Sequence, residues 1–153
     1  MDDDATGSLL CTFRLGDHLL GVDVRDVQEV LHGVDVTPIP HAPASVAGLI
    51  NLRGQIATTI DLRTRLGIDA SSRRSDPTHV VVRSAGEPVS LLVDSIGEVL
   101  EVGHELHEPP PVTIDDAVSH LIVGTYKLTD ELLLVLDVAR VVATQVPLTE
   151  DAA

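Results

Sequence analysis

Residues 46–66 and 122–142 are two versions of one sequence. Set "VAGLINLRGQIATTIDLRTRL" over "IVGTYKLTDELLLVLDVARVV" and Gly48 falls on Gly124, Leu52 on Leu128 and Asp61 on Asp137, with no gap. Earlier segments match more loosely, as "VQEVL" (27–31) matches "IGEVL" (96–100). A chain built from two copies of one unit must fold that unit twice. Two copies are too few for a solenoid, so two small barrels or curled sheets, each protecting its own edges, are expected.

The repeated unit reads as β. Short apolar runs are separated by Gly, Pro, Asp and Ser, and hairpins are expected at Gly16-Asp17, Arg53-Gly54, Ala85-Gly86 and Thr129-Asp130. Aromatics are only 1% of the chain, so the core is aliphatic. Asp61 and Asp137 read as N-caps of short helices, "LRTRLG" and "VARVVAT". "VRDVQEVLH" places Val24, Val27, Val30 and Leu31 at helical spacing, and "SIGEVLEV" echoes it. Both are expected to be short amphipathic turns. The prolines of "PIPHAP" (38–43) mark a rigid loop, and those of "HELHEPPPVTIDDAVSH" a long irregular one. The expected organisation is a tail over 1–7, a first subdomain over 8–77, a second over 78–145 and a tail over 146–153.

Charge narrows the partners. There are 24 acidic residues against 10 Lys and Arg, a net charge of −14. That argues against nucleic acid, whose phosphates need basic side chains, and against anionic membrane surfaces. It also resembles the acidic composition of salt-adapted proteins. A nucleic-acid-binding barrel needs stacking aromatics, and Phe13 and Tyr126 are the only two. No run of about 20 apolar residues is present to insert into a membrane. The start, "MDDDATGS", lacks a basic and apolar leader, so a cytoplasmic location is expected. One cysteine, Cys11, excludes an internal disulfide and reads as a small buried residue.

Candidate chemistry is sparse. His104 and His107 are three apart in "HELHE", but the order is not that of a zinc protease and the prolines that follow oppose a helix. They read as surface histidines, with no metal and no cofactor. No nucleophile elbow, P-loop or dinucleotide fingerprint occurs. Arg73 and Arg74 make a small basic spot that reads as a solvated loop. No catalytic residue is assigned and the protein is expected not to be an enzyme, an unrecognised activity being the remote alternative.

Protein recognition remains, and the repeat sorts the residues for it. Gly48 and Asp61 occur in both copies, so folding alone can explain them. Arg53-Gly54 becomes Thr129-Asp130 in the second copy. Each copy needs a turn there and neither needs an arginine. An isolated arginine suits a contact hot spot.

"FRLGDHLLGVDVRDVQEVL", "VTPIP", "VAGLINLRGQIATTIDLRTRLG" and "VSLLVDSIGEVLEV" closely resemble the CheW family of chemotaxis coupling proteins, from about residue 8 to 144. The resemblance implies a mainly β fold, two five-stranded, SH3-like β-barrels side by side with short capping helices. It implies a non-catalytic adaptor joining the regulatory domain of the chemotaxis histidine kinase to the cytoplasmic helical tips of methyl-accepting chemoreceptors. It implies recruitment from the cytoplasm to membrane-bound receptor arrays, and a monomer in isolation. An adaptor of the same fold in another chemosensory pathway, for surface motility or gene control, is the alternative. Carried over residue by residue, Arg53, Gly54 and Glu29 match the family's contact region, Val27 and Val99 its receptor-binding apolar positions, and Gly48 a glycine of the same region. Where many members have a proline after the hairpin turn, this chain has Thr58.

Overall fold

The central strands read as unbroken apolar runs because both of their faces are buried. In "LLLVL" (132–136), Leu133 and Val135 enter one hydrophobic cluster while Leu134 and Leu136 enter another. In "THVVVRS", Val80 and Val82 face one core and Val81 a different one. The computed structural model describes residues 8–68, 77–103, 107–108 and 119–143. Within them the elements run β1 (Ser8–Leu15), β2 (His18–Asp23), β3 (Val27–His32), β4 (Val46–Leu52), β5 (Gln55–Asp61), α1 (Leu62–Arg65), β6 (Thr78–Ser84), β7 (Glu87–Val93), β8 (Ser95–Val102), β9 (His107–Glu108), β10 (Ile122–Lys127), β11 (Leu132–Leu136) and α2 (Val138–Val142).

The strands form two sheets, in the orders β8-β1-β2-β11-β10-β9 and β3-β6-β7-β5-β4. Neither sheet is built from one repeat. The first copy gives its hairpin β1–β2 to one sheet and β3, β4 and β5 to the other. The second copy does the reverse with β6–β7 and with β8, β10 and β11. The register repeats with it. Leu15 pairs with His18 as Ser84 pairs with Glu87, an offset of 69 (84 − 15). The parallel pairing Thr58↔Val89 returns as Leu134↔Leu20, and Val30↔Val80 returns as Cys11↔Val99. Even the bulge recurs, between Val46 and Gly48 and between Ile122 and Gly124. The molecule is thus two interlocked halves. The boundary expected at residue 77 falls between the repeats and not between the sheets.

The sheets curl without closing into barrels. β3 and β4 stand at opposite ends of one sheet, yet Leu31 from one and Ile50 and Leu52 from the other share a small core with Ala57, Val81, Val34 and Val36. Gly33 (φ 65) breaks the strand after β3, so the chain beyond it reaches β4 by the single bridge Thr37↔Leu49. In the other sheet the two-residue β9 makes the equivalent contact, Glu108↔Thr125. The larger core lies between the sheets and includes Phe13, Leu15, Leu20, Ile60, Leu62, Leu91, Leu121 and Val141.

Two expected helical turns are strands. After a 3-10 turn over Val24–Asp26, the "VQEVLH" segment is β3, and "SIGEVLEV" is β8. β-Branched side chains at helical spacing also suit an extended strand, and ladder pairing with β6 and β1 decides between them. The capped helices form as expected. Asp61 accepts from the Arg63 amide and Asp137 from the Arg140 amide. Thr58 pairs with Leu49 on one side and Val89 on the other, a central position that proline would weaken. Arg73, Arg74 and His104, and most of the three-proline connection, lie outside the described residues.

Candidate partner-binding site

The β4–β5 hairpin turns on two residues, Arg53 (φ 54) and Gly54 (φ 96), between the paired Leu52 and Gln55. Two positive φ values match the right-handed twist of the strands, which favours asparagine or glycine at both positions. Asn51 supports the turn by accepting from the Gly54 amide at 2.7 Å. An arginine in the left-handed region is disfavoured by its Cβ. The fold therefore does not merely tolerate other residues at position 53; it prefers them. In the second repeat the turn residues Thr129 and Asp130 have no positive φ, and Leu128 donates to the Glu131 carbonyl instead.

Arg53 and Glu29 are brought together across the open side of the curled sheet. Nη1 donates to Oε1 at 3.1 Å and Nη2 to Oε2 at 2.6 Å. The Arg53 side chain keeps 69% of its surface exposed, and three of its five N–H groups stay available to a partner. Hydrogen bonds from Arg53, then from Gln28, hold the Glu29 carboxyl below the usual range. Gln28, which the sequence did not single out, also accepts from Arg83 at 2.7 Å. The chain Arg83–Gln28–Glu29–Arg53 lines the side of β3. Such exposed pairs contribute little to stability, so their fixed geometry is what they offer.

The other candidates sit apart from this pair. Val27 opens β3 and is partly buried against the inter-sheet core. Val99 lies on β8, at the end of the other sheet, and is 55% exposed. The repeat makes these edges equivalent but does not bring the two valines into one cluster. Gly48 is buried in β4, where its φ of 150 and the Thr37 carbonyl leave no room for a side chain. Ile56, 56% exposed on the same hairpin as Arg53, is an apolar neighbour that sequence reading missed. Among the described residues, no group of three or more His, Cys, Asp or Glu could hold a metal, and no helix is long and apolar enough to cross a membrane.

A second charged site is interior. Arg63 of α1 is 1% exposed and donates through Nε and Nη2 to the two oxygens of Asp94, at 3.2 and 2.5 Å. Asp94 also accepts from the Gly16 amide at 2.7 Å. This pair ties the β1–β2 turn to the end of β7 and the start of α1.

Comparison with known proteins agrees with the architecture. The family model of the CheW-like domain matches residues 9–146. A chemotaxis protein CheW of Treponema pallidum is 31% identical over 140 residues, 89% of this chain and 82% of that protein. A chemotaxis protein CheW of Rhizobium meliloti is 36% identical over 110 residues, 72% of this chain and 71% of that protein. The crystal structure of the scaffolding protein TtCheW from Thermoanaerobacter tengcongensis matches with a TM-score of 0.80 at 33% identity, covering 91% of this chain and 94% of that one. With the family's model covering nearly every described element, and a solved scaffolding relative matching over nine-tenths of both chains, the chain belongs to the family of CheW-like domains.

Proposed function

We propose that the protein is a non-catalytic chemotaxis adaptor that couples the cytoplasmic tips of chemoreceptors to the chemotaxis histidine kinase. The relatives named as chemotaxis and scaffolding proteins support the pathway and the role. The observation that carries the site is Arg53, an exposed arginine kept at a turn position whose backbone disfavours it. A residue that the fold disfavours and the solvent sees is best explained by a partner.

The adaptor works by geometry. Binding kinase and receptor together raises their effective concentration. It passes a receptor shift onward if the two interfaces favour one arrangement. A helical receptor tip would rest its apolar positions near Val27 and Val99, while Arg53, Glu29 and Gly54 meet the partner at the hairpin tip. The test is co-purification of the full chain with the kinase and receptor of its own organism. Retention of both partners by wild type and loss of at least one by Arg53→Ala is the expected result. Equal retention by the variant would remove Arg53 from the interface, and no retention by wild type would remove the adaptor role.

A further inference from the structure

At the position where the first repeat buries Arg63 the second has the exposed Ala139, and a cavity opens beside it. By the registers above, Arg63 corresponds to Ala139, Gly16 to Ala85, Arg14 to Arg83 and Ser95 to Asp26. In the first location the Arg63 guanidinium fills the space beside Gly16 and lies on the Asp94 carboxylate. In the second there is only the Ala139 methyl group. A cavity of about 380 Å³ opens there, lined by Asp26, Arg83, Ser84, Ala85, Leu136, Asp137, Val138 and Ala139. Its wall thus consists of counterparts of residues around Arg63. Its size is at the lower end of those that hold small groups, roughly 300–1,000 Å³.

The charges suit what is missing. Asp26 has no hydrogen-bond partner among the described residues, and its carboxyl is held above the usual range by burial and by the charges of Asp23 and Asp137, with Arg25 acting the other way. The counterpart of Asp94 is Arg25, but Arg25 is turned onto Asp23 through Nε and Nη2 and is absent from the wall. The carboxylate therefore comes from the next residue, Asp26. Asp137 accepts from the Arg140 amide with one oxygen and faces Arg140 Nε at 3.6 Å with the other. Arg83 is the one cation on the wall, and it donates to the Gln28 side-chain oxygen and the Gly86 carbonyl, both neutral.

We propose that this cavity binds a guanidinium group, presented as an arginine side chain of a partner protein, in the manner that Arg63 occupies the corresponding place within the chain. A planar guanidinium can pair with a carboxylate such as Asp26 through two parallel hydrogen bonds, which an ammonium cannot do. Arg63 is itself a side chain within a protein, and a wall with two carboxyl groups, Asp26 and Asp137, against the single Arg83 suits a cationic side chain better than the α-carboxylate of a free amino acid.

The test uses the full chain, isotopically labelled, titrated with arginine blocked at both ends and separately with the equivalent blocked lysine. Blocked arginine should give saturable amide shifts at Asp26, Ala85 and Ala139, with an affinity on the order of millimolar. Blocked lysine should bind at least about tenfold more weakly. Ala139→Arg should fold, fill the cavity from within and abolish the shifts. Asp26→Asn should weaken binding at least about tenfold and serves if Ala139→Arg does not fold. Shifts that fail to saturate, or that persist unchanged in either variant, would overturn the proposal. Free arginine binding more tightly than the blocked form would overturn its assignment to a protein side chain.

Discussion

Gly48 and Thr37 approach so closely that a Cβ on the glycine would overlap the threonine carbonyl oxygen. Thr37 and Leu49 exchange two backbone hydrogen bonds of 2.8 Å at the same place, so the approach is what joins the chain after β3 to β4. A glycine carried into the contact region by resemblance therefore has a folding reason of its own. Gly48→Ala must either strain φ or break the bridge. It should destabilise the protein by about 1–3 kcal/mol, a drop of several degrees in melting temperature. An unchanged melting temperature with weakened partner binding would make Gly48 a contact residue instead.

Arg53 predicts the opposite pattern. Glycine and asparagine suit its φ of 54 better than arginine does. Arg53→Gly and Arg53→Asn should therefore leave the melting temperature unchanged or raised. The same variants should weaken kinase or receptor binding at least about tenfold, the scale of a hot-spot side chain. Calorimetry beside a binding titration separates the two effects. A clear fall in melting temperature would show that the Glu29 pair holds the curled sheet together.

The difference between these residues was partly legible in the sequence. The repeat exposed Arg53 as foreign to the unit and marked Asp61 and Asp137 as caps, because each feature is local or copied. The exchange of hairpins between sheets was not legible, since it depends on non-local pairings, Thr58 with Val89 across 31 residues (89 − 58) and Leu19 with Leu133 across 114 (133 − 19). β3 and β8 look helical because their valines recur at intervals of three, but β-branched residues favour strands, and only the neighbouring strands decide. Arg63 lay in full view in "DLR", but nothing local shows that an arginine will be buried. Its mismatch with Ala139 at the repeat offset was the available signal.

The interior pair should behave as a coupled unit. With Arg63 1% and Asp94 8% exposed, removing one partner strands a buried charge. Arg63→Met and Asp94→Asn should each cost about 3–5 kcal/mol. The double variant should recover part of that loss, because no uncompensated charge remains. Urea unfolding of the four proteins measures the coupling, and strictly additive losses would show that the two groups act independently.

Net charge sets a salt dependence. With 24 Asp and Glu against 10 Lys and Arg, pairing every cation with one carboxylate would still leave 14 carboxylates over (24 − 10). Repulsion among exposed carboxylates is long-ranged in dilute buffer and screened in concentrated salt, the Debye length falling from about 10 Å at 0.1 M to about 3 Å at 1 M. The pairs Arg14–Glu131 and Arg53–Glu29 would be screened too, but exposed pairs contribute little to begin with. The melting temperature should therefore rise between 0.1 M and about 2 M potassium chloride. A flat profile would remove the salt-adapted reading of the composition.

The last prediction concerns acid. His79 is 2% exposed on β6, with its Nδ1 2.9 Å from the Ser90 hydroxyl. Burial, and then the neighbouring His32, hold its pKa below the ordinary 6.5. Between those two values the unfolded chain binds the proton and the folded chain does not. Stability from this group is full above pH 6.5 and is lost as the pH falls through the folded value. The carboxyls of Glu29, Asp23 and Glu131, held low by Arg53, Arg25 and Arg14, act in the same direction but only below their ordinary 4.5 and 3.8. The two windows are therefore separable. His79→Gln can keep a hydrogen bond to Ser90 and removes the titration. Melting temperature should decline from pH 7 to 5 in wild type and stay nearly level there in His79→Gln, while both fall at lower pH. Parallel curves for the two proteins above pH 5 would show that His79 is not the group responsible.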